Sequence, residues 1–501
     1  MEHASPPPAA PGASPAAVPA AVPAAVPDGP VPADDLLAGL PPVRPVDAAE
    51  VAAALAGGPR LVVLDDDPTG TQTVADLPVL TGWSVDDLRW ALRQDSAAFF
   101  VLTNTRSLAP ADAAARNRAV VRALDEASRA EGVPYVIASR GDSTLRGHFP
   151  LETDVLAGES AAVSAGATGG VLVVPAYVEA GRITVHAVHW MRTPQGMLPV
   201  GRSEFARDAT FGYRHSDLQS WIAEKSGGRI AAGDVLAITL ADLRTGGPEH
   251  VAGLLGALGP GRYAVADAVC DDDLRVLALA LARAEQRGVR PLYRVGPSFV
   301  RARAGQAARA PLTPAELPRT EGAAPHGLIA VGSHVGLTTR QLAVLRTREG
   351  IAEWELDVAA ILDPARRDGH VADTARAVSA ALERTDVVLR TSRQLVTGAD
   401  ADQSLALSRQ VSAALVETVR AVARARRPAF VVAKGGITSS DIATGALGIR
   451  RAWARGTLLP GIVSLWQPES GPSHGVPYVV FAGNVGDDDA LADCLDLLRS
   501  H

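Results

Sequence analysis

The chain of 501 residues holds two cysteines, Cys270 and Cys494, far apart and flanked by neither a second cysteine nor a histidine. That excludes a disulfide framework and a cysteine zinc site, and both thiols read as core or surface residues. No apolar run approaches the roughly 20 residues of a membrane-spanning helix, and no basic region followed by an apolar core opens the chain. A cytoplasmic protein without a membrane partner is the expectation. Excess positive charge is also missing: the net charge is −7, the pI is about 5.9, and no basic stripe is interleaved with aromatics, which argues against nucleic acid as a partner. Lysine is scarcer still. Of 48 basic residues only Lys225 and Lys434 are lysines. A lysine kept in so arginine-rich a chain points to a need for a compact ammonium, with phosphate the expectation at Lys434 and simple drift the reading for Lys225.

What is present is an apolar fraction of 47%, enough for a sizeable core and, at this length, two or three domains. Residues 1–48 are rich in Ala and Pro and are expected to form a flexible or polyproline-like tail. A short helical pattern runs from Ala49 to Leu55. LVVLDDDPTGTQT, Leu61 to Thr73, then carries four apolar residues into three carboxylates and a Pro-Thr-Gly turn, the pattern of a buried parallel strand ending in a loop. In open α/β sheets ligands collect beyond the carboxyl ends of strands, which puts Asp65, Asp66 and Asp67 at the mouth of a site.

Strand and helix alternate from there. AAFFVLTNTRSL is a strand ending in polar residues that include Arg106, Ala111 to Glu131 has the helical period, and VPYVIASRGDSTLRGH is strand followed by loop. In that loop Arg140 and Arg146 bracket Asp142, Ser143 and Thr144: cations able to clamp a carboxylate, hydroxyls able to hold a polyol, and an acid able to accept a proton. GGVLVVPAYVEAGRIT repeats the arrangement with Glu179 and Arg182. His186 and His189 fall on opposite faces of a strand and read as core or surface residues rather than metal ligands. Asp271 to Asp273 read as a helix cap.

From Val300 to Gly327 the chain is rich in Pro, Ala and Arg without a strand pattern, which marks a domain boundary. Three glycine turns follow strands beyond it. GLIAVGSHVGLTTRQL places Ser333 before a helix starting near Thr338. A long periodic helix, Ser404 to Arg424, then leads to PAFVVAKGGITSSD, which sets Lys434, Gly435, Gly436, Ile437 and Thr438 between a strand and a helix starting near Asp441. PYVVFAGNVG contributes Gly483 and Asn484. Backbone amides uncovered by glycine, a lysine and a helix dipole favour phosphate here. The spacing does not match Gly-x4-Gly-Lys-Ser/Thr, so the P-loop family is excluded.

DDDPTG, SRGDSTLRGH, PAYVEAGRIT, VGSHVG, AKGGITSSD and FAGNVG occur in the order found in the four-carbon acid sugar kinase family, which the chain resembles along nearly everything beyond the tail. The expected fold is α/β, with two domains, each a mostly parallel sheet flanked by helices, and the active site in the cleft between them. The resemblance implies a sugar-acid-binding domain, assigned to 49–310, a linker at 311–326, and a nucleotide-binding domain at 327–501. It further implies ATP-dependent phosphorylation of a tetronate or oxo-tetronate. By position, the family's substrate motifs fall on Asp66, Asp67, Thr69 and Gly70 and on Arg140 through Gly147; its nucleotide positions fall on Ser333, Gly435 to Thr438 and Gly483. Arg140 stands where lysine is usual, Pro68 where an aliphatic residue is common, and His148 where asparagine is frequent. All three departures lie on the substrate side.

The expected mechanism places ATP and Mg²⁺ on the glycine loops and the sugar acid on the N-terminal loops. Arg140 and Arg106 face its carboxylate, Asp66 and Asp67 face substrate, and Asp65 serves the strand end. Either Asp142 or Asp67 takes the proton; the metal ligands and a homodimer are left open. Two other readings compete. Asp65, Asp67 and Thr69 fit the Asp-x-Asp-x-Thr of haloacid-dehalogenase-like phosphatases, with Asp65 as nucleophile and Asp67 as acid/base, although such enzymes also need a nearby lysine. The third is a sugar-acid or nucleotide sensor without catalysis.

Overall fold

The computed structural model describes residues 26–163, 168–393 and 401–500. Apolar runs bounded by polar turns form the strands. Before the proline-rich stretch these are β1 (Arg60–Asp65), β2 (Leu77–Leu80), β3 (Ala98–Leu102), β4 (Tyr135–Arg140), β5 (Thr168–Val174), β6 (Arg182–Val185), β7 (Val188–Thr193), β8 (Gly196–Pro199), β9 (Leu236–Ile238), β10 (Tyr263–Ala266) and β11 (Arg290–Val295). After it come β12 (Leu328–Val331), β13 (Ile351–Leu356), β14 (Asp386–Thr391), β15 (Val431–Lys434), β16 (Arg451–Leu459), β17 (Val463–Pro468) and β18 (Tyr478–Phe481).

Among the described residues, fifteen strands join in one sheet of order β13-β14-β12-β15-β18-β17-β16-β2-β3-β1-β4-β11-β5-β10-β9, and β6, β7 and β8 form a small antiparallel sheet beside it. The expected class holds: two α/β portions, each mostly parallel. Helices such as Pro110–Glu131, Asp271–Gln286, Ala401–Ala425 and Ala490–Arg499 lay their apolar sides against the faces of the large sheet. Covered on both sides, the central strands must be apolar throughout, which is why β1 reads as an unbroken run. No described helix is long and apolar enough to cross a membrane.

Parallel register levels the strand ends. Asp65 stands opposite Arg140, and Lys434 lies between Val331 and Phe481, so the polar loops of each portion begin along one edge. The portions are joined where β16 pairs antiparallel with β2. The β16–β17 hairpin also reaches the turn Gly70–Thr73: Gln72 Nε2 donates to the Ile462 carbonyl at 2.9 Å and Trp466 Nε1 donates to Thr71 Oγ1 at 2.9 Å.

The stretch expected as a tail divides. Residues 1–25 lie outside the described ones, whereas Val31 exchanges backbone hydrogen bonds of 2.9 and 2.7 Å with Met197, and Leu36 and Leu37 of the short helix Ala33–Leu37 pack on the core. The Ala/Pro composition hid a few larger apolar residues that find partners at the edge of β8.

Candidate active site

At the end of β1 the three carboxylates have three environments. Asp65 is 2% exposed and accepts hydrogen bonds from Gly70 N (3.1 Å) and Arg140 Nη1 (3.0 Å). Burial, against the pull of Arg140, raises its pKa to about 7. A β-carbon on Gly70 would stand 2.0 Å from its Oδ2, so this turn admits only glycine. Asp66 is gripped by Nε and Nη2 of Arg106, and burial outweighs that cation to raise its pKa. Asp67 alone remains open, its side chain 21% exposed. It accepts from Thr69 N (2.8 Å) and Arg106 Nη1 (3.0 Å); burial works the other way, but Arg106 and Arg140 hold it below the usual carboxylate range.

The loop after β4 is moulded over a buried ion pair. Arg294 Nη1 bonds Glu152 at 2.8 Å and Ser139 Oγ at 2.9 Å, and β-carbons on Gly141 and Gly147 would meet its guanidinium at 2.3 and 2.8 Å. Across this loop Asp142 accepts from Thr144 Oγ1 and, at 2.7 Å, from Arg146 Nε. Burial opposes ionisation, yet Arg106 and Arg146 keep Asp142 far below the usual range. Ser143 and Thr144, expected to offer hydroxyls to substrate, are buried; the Thr144 hydroxyl is taken by Asp142. Small residues let the loop fold back on itself. His189 is a core residue as expected: burial lowers its pKa to about 4, and neutral it donates from Nε2 to the Ser143 carbonyl (2.8 Å) and accepts at Nδ1 from Thr184 Oγ1 (2.9 Å). His186 sits at φ 53° in the turn between β6 and β7 rather than in a strand.

Arg106 and Arg140, expected to face a substrate carboxylate, are occupied by Asp66, Asp67 and Asp65. Arg182 is not. Its guanidinium lies 5.8 Å from the Tyr177 ring centroid, its Nε is buried without a partner, and no carboxylate stands within ion-pairing distance among the described residues. Arg146, beside it in the electrostatics of Asp142, is shared with Asp208 at 3.6 Å.

Across the cleft the three glycine turns pack on one another. β-carbons on Gly332 and Gly435 would come within 2.4 and 2.8 Å of Thr438 Oγ1, and one on Gly483 within 2.6 Å of Ser333 Oγ. Glycine is required for close approach, and at Gly435 also for φ +129°. The helix after β15 begins at Gly436 rather than near Asp441, so the amides of Gly436, Ile437 and Thr438 form its first turn, while Ile437 is 60% exposed and Asn484 lies at the surface. Lys434 corrects an expectation. It is fully buried, its Nζ donates to the Ala482 carbonyl at 2.7 Å above the Phe481 ring, and burial lowers its pKa to about 7. The amine is thus engaged by the carbonyl that precedes the Gly483 loop. Lys225 does the same kind of work elsewhere, donating to the Gly212 carbonyl at 3.2 Å.

Beside the cradle opens a cavity of about 220 Å³ lined by Gly332, His334, Thr391, Val411, Leu415 and Ile437, among others. Sequence reasoning missed it. Val411 and Leu415 form an i, i+4 stripe on the helix Ala401–Ala425, and such a stripe looks the same whether it meets a sheet or a cavity.

The two walls come together at Asp67, whose Oδ2 lies 3.9 Å from where a β-carbon on Gly436 would be. An ionised carboxylate from the acidic turn thus faces the glycine cradle. Residues 61–303 match the profile of a sugar-binding N-terminal domain and residues 328–491 that of a nucleotide-binding C-terminal domain. The chain belongs to the four-carbon acid sugar kinase family. This sugar kinase is similar to a D-erythronate kinase from Heliobacterium modesticaldum, 25% identical over 468 residues that span 88% of this chain and 97% of that one. It also resembles a D-threonate kinase from Cupriavidus necator, 30% identical over 259 residues, or 50% of this chain and 53% of the other. Its fold is shared by a Salmonella typhimurium protein described as a putative tRNA synthase (TM-score 0.62, 19% identity, 87% of this chain and 98% of that one). A Haemophilus influenzae protein shares it too (TM-score 0.58, 18% identity, 87% of this chain and all of the other). As a sugar-acid kinase it is a phosphotransferase acting on a hydroxyl, which sets aside the silent sensor. The phosphatase reading fails on geometry: Asp65 is sealed beneath Gly70, and the ammonium groups of Lys225 and Lys434 are engaged elsewhere.

Proposed function

We propose that this kinase transfers the γ-phosphate of ATP to a hydroxyl of a four-carbon sugar acid of the tetronate or oxo-tetronate type. The observation that carries the reading is the approach of Asp67 to Gly436, which sets a base beside a phosphate cradle; the erythronate and threonate kinases among the relatives supply the substrate class. The triphosphate lies on the amides of Gly435 to Thr438 with Ser333 and Gly483 alongside, and the nucleobase enters the cavity between His334 and Leu415. Mg²⁺ neutralises phosphate charge when bound. It needs only one or two protein carboxylates beside phosphate oxygens and water, and Asp67, the one carboxylate of the acidic turn left partly open, fits that need.

On the other wall Arg182, which has no carboxylate within ion-pairing distance among the described residues, takes the carboxylate of the sugar acid, while Asp142 and Arg146 hold its hydroxyls. Asp66 and Arg140 keep the acidic turn in place. Both base candidates are engaged by neighbours, Asp142 by Thr144 and Arg146 and Asp67 by Thr69 and Arg106, and it is the approach to Gly436 that favours Asp67. As the substrate oxygen bonds to the γ-phosphorus and the bond to the β-phosphate oxygen breaks, Asp67 accepts the hydroxyl proton and ADP leaves. Positioning and electrostatics carry most of the rate, the base adding roughly 10²- to 10⁴-fold. A coupled ADP-release assay with Mg²⁺ over a panel of four-carbon acids tests the reading. ADP formation with one or more tetronates is the expected result, and none with any acid overturns it.

A further inference from the structure

We propose that Arg393 binds the phosphate chain of the nucleotide, supplying the positive charge that the buried Lys434 does not. The proposal rests on the reading above that ATP occupies the glycine cradle. Arg393 follows β14, which pairs with β12, so its side chain starts beside the loop that β12 feeds. There Nη1 donates to the Ser333 carbonyl and Nη2 to Thr339 Oγ1 at 2.6 Å. A guanidinium carries five N–H groups, and these contacts use only two of them. Nε is buried with no partner.

Charge balance sets Arg393 apart from its neighbours. Arg346 and Arg390 both pair with Glu353, at 2.8 Å and in closer contact respectively, whereas no carboxylate stands within ion-pairing distance of Arg393 among the described residues. Burial and the repulsion of Arg390 and Arg346 work against its charge. A half-buried cation without a counter-ion is costly, and an anion arriving at the same place relieves that cost.

Position identifies the anion. Ser333, whose carbonyl anchors Arg393, is the residue on which the cradle closes: Gly483 packs against its Oγ, and Thr338 Oγ1 lies within hydrogen-bonding distance of both that Oγ (3.0 Å) and the Gly483 carbonyl (3.1 Å). The next residue, His334, carries a second buried nitrogen without a partner, Nδ1, and lines the cavity assigned to the nucleobase. The guanidinium therefore stands where a chain of phosphates leaves the base cavity for Gly436. Its planar fork suits two phosphate oxygens at once.

Titration of the full-length chain with MgATP, MgADP and adenosine, for the wild type, Arg393→Met and Arg393→Lys, tests this. Arg393→Met should weaken MgATP and MgADP about 10- to 100-fold, the effect of losing charge-assisted hydrogen bonds, while adenosine affinity and the KM for the sugar acid move less than about twofold. Arg393→Lys should recover part of the loss, because the charge remains and the fork does not. Raising the salt concentration should weaken MgATP binding more steeply in the wild type than in Arg393→Met. Unchanged MgATP affinity in Arg393→Met overturns the proposal. An equal loss for adenosine does so too, since that marks Arg393 as a prop for the Ser333 loop. A wild-type chain that binds no MgATP instead overturns the nucleotide reading beneath it.

Discussion

Asp67 and Gly436, 369 positions apart in the chain, meet across the cleft with Asp67 Oδ2 3.9 Å from the place of a Gly436 β-carbon. On the proposed reading, a side chain at position 436 would fill the space where the phosphate and the hydroxyl approach each other.

Asp67→Asn removes the proton acceptor and keeps the shape of the turn. Turnover should fall roughly 10²- to 10⁴-fold, with the affinity for ATP in the absence of Mg²⁺ nearly unchanged. Asp142→Asn should instead act mainly on the KM of the sugar acid. Steady-state kinetics on both substrates separates the two, and the reverse pattern would make Asp142 the base.

Arg182→Met should raise the KM for the sugar acid about 10- to 100-fold, as loss of a charge-assisted pair does. Because the cation it removes has no carboxylate partner among the described residues, the melting temperature should stay level or rise. A large drop in melting temperature would show that Arg182 is structural.

Gly141→Ala drives a methyl to 2.3 Å from the Arg294 guanidinium, which the Glu152 pair holds fast. A loss of about 1–3 kcal/mol in stability is expected from such overpacking. Denaturant unfolding measures it, and wild-type stability would mean that the loop yields freely.

Burial lowers the pKa of Lys434 to about 7 in the folded chain, below the ordinary value it has when unfolded. The unfolded chain thus binds the extra proton between those values, and stability must rise with pH across that window by up to about 1.4 kcal/mol per unit. Relative to Lys434→Met, the wild type should gain stability from pH 7 towards pH 10. Chemical unfolding at both pH values tests the sign; parallel losses in the two proteins would place the Lys434 pKa at its ordinary value.

Much of the architecture was legible because buried parallel strands have to be apolar on both faces and stop where polar residues begin. Asp65 to Asp67, the Arg140 to Thr144 loop and the turn at Gly435 were all found at strand ends by this rule. The sequence places the start of the helix after Lys434 near Asp441, since Thr438, Ser439 and Ser440 look like turn residues, whereas the chain is already helical from Gly436. The cavity at Val411 and Leu415 was hidden for the reason that a helix stripe does not name what it faces.

The roles of the cations divide along the same line. Sequence alone determined that arginines and carboxylates cluster at the carboxyl ends of strands, because local pattern dictates where a strand ends and polar loops begin. Only the tertiary structure decided which of those charges remain available. Arg140 is paired with Asp65, 75 positions away, Lys434 is bonded to the Ala482 carbonyl, 48 positions away, and Arg182 has no carboxylate within ion-pairing distance among the described residues. Charge pairing acts over a few ångströms of space, so it depends on which distant strands the fold sets side by side.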